Sequence, residues 1–219
     1  MQKQQVLDRI TREGLMPVLR AESTQQALAI AQALEAGGVT ILEVTMTVPN
    51  AVRLIEQLAD TAGDRLLLGA GTVLDTETAR AAMLAGAQFI VSPALDRATI
   101  EICRRYSVAV FPGALTPTEV VAAWQAGADA VKVFPASAMG GAKYLRALKA
   151  PFPQIELIPT GGVTLETAAE FLRAGAYALG VGGDLVDPAA IRKGHPETIT
   201  ANARKYLEIV AAHRAGEAN

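Results

Sequence analysis

Four stretches of this chain repeat one pattern: EAGGVTILEV (35–44), LAGAQFIVSP (84–93), QAGADAVKVF (125–134) and RAGAYALGVG (173–182). Each opens around Ala-Gly, crosses a few small or polar residues and enters an apolar run. Glycine closing a helical pattern is a C-cap signal. The short β-branched run after it reads as a buried strand. Gly37, Gly86, Gly127 and Gly175 lie 49, 41 and 48 residues apart. A βα unit takes roughly 20–30 residues, so each interval holds two.

The strands between the repeats can be read as well. MPVLRA (16–21), LLLGAGT (66–72), VAVFPGA (108–114) and IELIPTGG (155–162) lead into TQQALAIAQALEA, DTETARAAMLA, TPTEVVAAWQA and TLETAAEFLRA. No linker rich in Pro, Gly or Ser divides the chain. The pattern predicts an α/β protein: one (β/α)8 TIM barrel domain over 1–219, with an additional N-terminal helix (1–13) packing on the barrel. A doubly wound open sheet would show fewer strands and one glycine-rich turn after the first; here the glycines come late.

Composition narrows the function classes. Hydrophobic residues at 51% and charged residues at 19% suit a compact core. A net charge of −2 points to no nucleic-acid partner. No apolar stretch approaches a membrane span, and the polar start lacks the apolar core of a signal peptide. A single cysteine, Cys103, suits a reducing cytoplasm. The two histidines, His195 and His213, both lie near the C-terminus, which argues against a histidine-based metal site. A carboxylate-bound Mg²⁺ stays open on residue types alone. His195, in KGHPETI, reads as a helix start, and Trp124 reads as core.

Barrel active sites stand at the C-terminal ends of the strands, and phosphate often binds near strands 7 and 8. Lys132 sits in the apolar run DAVKVFPAS. Lysine is rarely buried unless it is paired or needed. It either snorkels to solvent, pairs with a carboxylate, or serves as an amine that attacks a carbonyl to form a Schiff base. Glu43, in ILEVTMT, is flanked the same way and reads as the partner of Lys132, as a general base, or as both. Opposite strands of an eight-stranded barrel can point both side chains into one mouth. Arg20 ends PVLRA and offers a fork for a carboxylate. The pairs Gly161–Gly162 and Gly182–Gly183 end the two strands where barrels hold anions, and glycine lets backbone N–H groups approach closely.

Together with GAGTV (69–73), IVSP (90–93), FPGALTPTE (111–119), PTGGV (159–163) and GVGGDLV (180–186), these motifs resemble, in order and over nearly the whole chain, the 2-keto-3-deoxy-6-phosphogluconate (KDPG)/4-hydroxy-2-oxoglutarate aldolases. The resemblance implies a class I aldolase without metal or other cofactor, on a (β/α)8 barrel, assembled as a homotrimer. It would cleave KDPG, or a close 2-keto-3-deoxy sugar acid, to pyruvate and an aldehyde such as glyceraldehyde 3-phosphate. It implies Lys132 as the Schiff-base lysine and Glu43 as the general acid/base. It places Thr72, Pro93 and Phe134 around pyruvate, and Thr160, Gly161, Gly162 and Gly182 at the polar and phosphate end.

Two positions depart from the common pattern. Many members carry, where Thr47 stands, an arginine that contacts the substrate carboxylate; others lack it and carry arginine at the end of strand 1, as Arg20 does here. Many carry serine where Gly183 stands, and here Asp184 follows. The alternatives are therefore an aldolase preferring 4-hydroxy-2-oxoglutarate or the phosphogalactonate epimer, or a substrate without phosphate. A more distant alternative is a phosphate-binding barrel isomerase or epimerase with Glu43 as base and Lys132 as a clamp.

Overall fold

The computed structural model describes residues 1–217. Among them the strands are β1 (Leu15–Leu19), β2 (Ile41–Thr45), β3 (Leu67–Gly71), β4 (Phe89–Val91), β5 (Ala109–Phe111), β6 (Gly113–Ala114), β7 (Val131–Val133), β8 (Leu157–Pro159) and β9 (Leu179–Val181). All pairings are parallel, in the orders β5-β4-β3-β2-β1-β9 and β6-β7-β8. A parallel bridge from Thr160 to Gly180 joins β8 to β9, and the Asp129 N–H donates to the Val110 carbonyl at 3.1 Å on the other side. The sheet therefore closes on itself as a TIM barrel.

The expected fifth strand, 108–114, is one crossing in two pieces. Pro112 has no N–H to give a ladder. Its carbonyl still accepts the Lys132 N–H at 2.9 Å. The break lets β5 pair with β4 and β6 pair with β7.

Strand alternation sorts the side chains into two cores. Met16, Ile41, Leu67, Phe89, Phe111, Ala130 and Ile158 face inward and fill the barrel. Their neighbours Leu15, Leu42, Leu68, Ile90, Val110, Val131 and Leu179 face outward, beneath the helices. Burial on both faces is why these strands read as continuous apolar runs. Gly69 makes room for the inward Phe89 ring, because a Cβ there would lie 2.1 Å from it.

The N-terminal helix α1 (Lys3–Glu13) seals the bottom of the barrel with Val6 and Ile10, which join the inner core. Its polar face is tied down on two sides. Arg9 donates to the carbonyls of Thr40 and Asp64, each at 2.9 Å. The Glu13 carboxylate accepts the Thr40 N–H at 2.9 Å, and burial raises its pKa. Across the barrel, Lys3 pairs with Asp129 at 2.6 Å.

The outer helices are α2 (Thr24–Ala36), α3 (Ala51–Ala62), α4 (Thr76–Leu84), α5 (Arg97–Arg105), α6 (Pro117–Ala126), α7 (Ala142–Lys149), α8 (Ala168–Arg173), α9 (Pro188–Arg192) and α10 (Pro196–Glu217). Two of them differ from expectation. The helix read from TLETAAEFLRA starts only at Ala168, because Thr164 and Thr167 close a turn in which the Thr167 hydroxyl accepts the Thr164 N–H at 2.9 Å. Trp124 is 43% exposed rather than core. α6 buries Val120 and Ala123, and the next residue turns onto the outer face. No helix among the described residues is long and apolar enough to cross a membrane.

Candidate active site

Lys132 and Glu43 share the inward parity of Ala130 and Ile41. Lys132 lies in β7 opposite Gly113 and Ile158, and Glu43 lies in β2 opposite Val18 and Gly69. They sit one layer above the apolar plug, and their side chains cross the barrel to meet. Nζ of Lys132 is 3.7 Å from Oε1 of Glu43, with the residues 3% and 0% exposed. That spacing makes an ion pair but exceeds hydrogen-bond length. Neither carboxylate oxygen of Glu43 has a hydrogen-bond partner among the described residues. Buried charges are costly to desolvate, and an imperfectly bonded pair recovers only part of that cost. Such an arrangement is suited to handling a proton rather than to stability.

The glycines of β3 create the room. A Cβ at Gly71 would fall 1.9 Å from Oε1 of Glu43 and 2.5 Å from its Cδ. The carboxylate occupies the space that a side chain at 71 would take.

Seven residues singled out from the sequence line one cleft of about 240 Å³: Arg20, Phe134, Thr160, Gly161, Gly162, Gly182 and Gly183. Lys132 lies one layer deeper, with Nζ 5.4 Å from the centre of the Phe134 ring. Among the described residues the hydroxyl of Thr160 is buried without a hydrogen-bond partner, and it fits against Gly180, where a Cβ would lie 2.1 Å from it. Gly161 and Gly162 have φ of 86° and 81°, a region costly for other residues. Val18, Val163, Thr164 and Asp184 complete the lining. Val163 closes the PTGGV motif, whereas Val18 and Thr164 were not singled out from the sequence.

Three expected residues stand outside that cleft. The Thr47 hydroxyl is engaged with Thr45 at 2.7 Å, and Thr45 in turn donates to the Leu19 carbonyl. Thr72 follows Gly71 with a φ of 58°, a strained conformation for a β-branched residue. Pro93 follows β4, and its backbone lies over Gly113, where a Cβ would meet the Pro93 carbonyl carbon at 2.2 Å. Among the described residues no three His, Cys, Asp or Glu side chains gather as a metal set.

The family model described as KDPG and KHG aldolase matches residues 6–202. The chain belongs to this aldolase family. It is 35% identical to the 2-dehydro-3-deoxy-phosphogluconate aldolase of Treponema pallidum, over 94% of this chain and 97% of that one. It is equally identical to the 2-dehydro-3-deoxy-6-phosphogalactonate aldolase of Escherichia coli, over 91% and 98%. The KDPG aldolase of Legionella pneumophila, solved with pyruvate captured as a covalent carbinolamine, superposes with a TM-score of 0.84 at 31% identity, covering 93% of this chain and 97% of that one. The expected fold and aldolase class agree with these matches.

Proposed function

We propose that this aldolase works through Lys132 and Glu43, cleaving KDPG or a close 2-keto-3-deoxy sugar acid to pyruvate and an aldehyde. The observation that carries this reading is the buried Lys132–Glu43 ion pair, whose carboxylate oxygens accept no hydrogen bond among the described residues. Lys132 passes its proton to Glu43, and the amine so freed adds to C2 of the keto acid. Glu43 relays protons as the carbinolamine loses water, leaving an iminium. Glu43 then takes the proton of the C4 hydroxyl. The C3–C4 bond breaks, and its electrons move into the iminium to give an enamine as the aldehyde departs. Protonation at C3 and hydrolysis release pyruvate and restore the lysine. The iminium is the electron sink, so this route draws on no metal or other cofactor.

Arg20 holds the substrate carboxylate in this reading, since it is the one cation among the residues lining the cleft. Arg20→Ala is expected to raise the pyruvate KM by roughly 10- to 100-fold, the scale of a lost charged hydrogen bond. An unchanged KM in steady-state assays would remove that role.

We read residues 1–219 as one barrel acting as a homotrimer in the cytoplasm. Exposed Leu84, Tyr106 and Trp124 offer apolar surface for assembly, and Cys103 is unbridged. Borohydride reduction with pyruvate, followed by peptide mass spectrometry, tests the chemistry. A stable adduct on Lys132 is expected. No adduct in folded protein would favour an isomerase in which Glu43 is the base and Lys132 a clamp.

A further inference from the structure

Arg20 stands one residue past the end of β1, beyond the last pairing with β2, Leu19 to Val44. It is exposed, and among the described residues no hydrogen bond or ion pair holds its guanidinium. Where that guanidinium can reach is therefore set by its backbone.

The backbone is gripped on both sides by buried polar side chains. On one side Thr45, fully buried and two residues beyond Glu43 on the same face of β2, donates its hydroxyl to the Leu19 carbonyl at 2.9 Å. This carbonyl belongs to the peptide bond that leads into Arg20. On the other side the buried Gln26 of α2 accepts the Glu22 N–H at 2.8 Å through Oε1. Its Nε2 donates to the Pro188 carbonyl at 3.1 Å, at the start of α9. Both ends of the Gln26 amide are thus committed, and its oxygen faces the segment that carries Arg20.

Proton bookkeeping adds a second point. A hydroxyl carries one hydrogen. Thr45 spends its hydrogen on the Leu19 carbonyl, which can only accept. In the 2.7 Å contact between the Thr45 and Thr47 hydroxyls, Thr47 is therefore the donor. The hydrogen of Thr47 is committed within the chain. A substrate carboxylate, which also only accepts, draws instead on Arg20, the one cation lining the cleft.

β1, β2 and α2 already pack through apolar residues such as Leu19, Val44 and Ile30. Burying a hydroxyl and an amide among them gains little net stability even when both are hydrogen-bonded. What the two side chains add is a fixed path for residues 19–22.

We infer that Thr45 and Gln26 are positioning residues: they hold the backbone on either side of Arg20 so that its guanidinium meets the substrate carboxylate. The inference rests on the aldolase reading and on Arg20 as its carboxylate grip.

The test measures the pyruvate concentration that half-saturates borohydride trapping at Lys132, together with the maximal trapping rate. Thr45→Val and Gln26→Met nearly keep the side-chain size and remove the hydrogen bonds. Each is expected to raise the half-saturating concentration about fivefold, the scale of one neutral hydrogen bond, with the maximal rate little changed. Thr45→Ser keeps the hydroxyl and should restore the parent value. On an Arg20→Ala background neither Thr45→Val nor Gln26→Met should add a further change, because both act through the missing guanidinium. A folded variant whose half-saturating concentration is unmoved, or is raised by the same factor with and without Arg20, would overturn the role of its residue. The parent chain separates the readings. An adduct there with such variants sinks only the positioning role, whereas no adduct sinks the aldolase chemistry itself.

Discussion

Lys132→Met is expected to cut turnover by on the order of 10⁴-fold or more, the scale seen when a covalent nucleophile is removed. The same change should abolish the borohydride adduct with pyruvate. It should also destabilise the fold. Glu43 is completely buried, and its carboxylate oxygens have no hydrogen bonds to fall back on among the described residues. Stranding a buried charge costs on the order of 3–5 kcal/mol. Replacing both members by apolar residues removes that penalty, so Lys132→Met with Glu43→Leu should recover most of the lost stability while staying inactive. Denaturant melts and steady-state assays on the two variants check both halves. A single variant as stable as the parent would show that the pair is not electrostatically coupled. A double variant less stable than the single would show that packing dominates at this site.

The same pair explains what could be read from the sequence. The repeated Ala-Gly ends announced eight βα units because every unit needs a helix stop before a strand buried on both faces. Lys132 and Glu43 stood out because each interrupts such a strand on its inward parity. Arg20 and the two glycine pairs were legible as strand ends, and all of them line the cleft. Contacts between distant segments were not legible. Asp184 was visible as a suspect charge, but its anchor Tyr206 lies 22 residues away on α10. VAVFPGA (108–114) read as one strand and gave no sign that the crossing would break at Pro112 and change partners there. Trp124 looked like core because bulk and apolarity carry no record of which side of α6 faces inward.

Gly71→Ala is expected to lower kcat by about 100-fold, the effect of moving a catalytic group by roughly 1 Å. A Cβ at 71 would lie 1.9 Å from Oε1 and 2.6 Å from Cγ of Glu43, so the carboxylate must swing away from Lys132. Gly69 provides the comparison, two residues earlier in β3 and on the same inward parity. A Cβ there would strike the Phe89 ring at 2.1 Å, well below the reacting groups. Overpacking of that kind typically costs about 1–3 kcal/mol of stability. The two variants should therefore fail differently, Gly71→Ala in kcat and Gly69→Ala chiefly in melting temperature. A double-mutant cycle with Glu43→Gln decides the cause. If Gly71 acts through Glu43, the glycine substitution costs little further activity once the carboxylate is gone, because both changes remove one function. If Gly71→Ala costs the same factor on either background, its effect comes from general distortion of the barrel. The position of Glu43 would then be set by something other than the space left at residue 71.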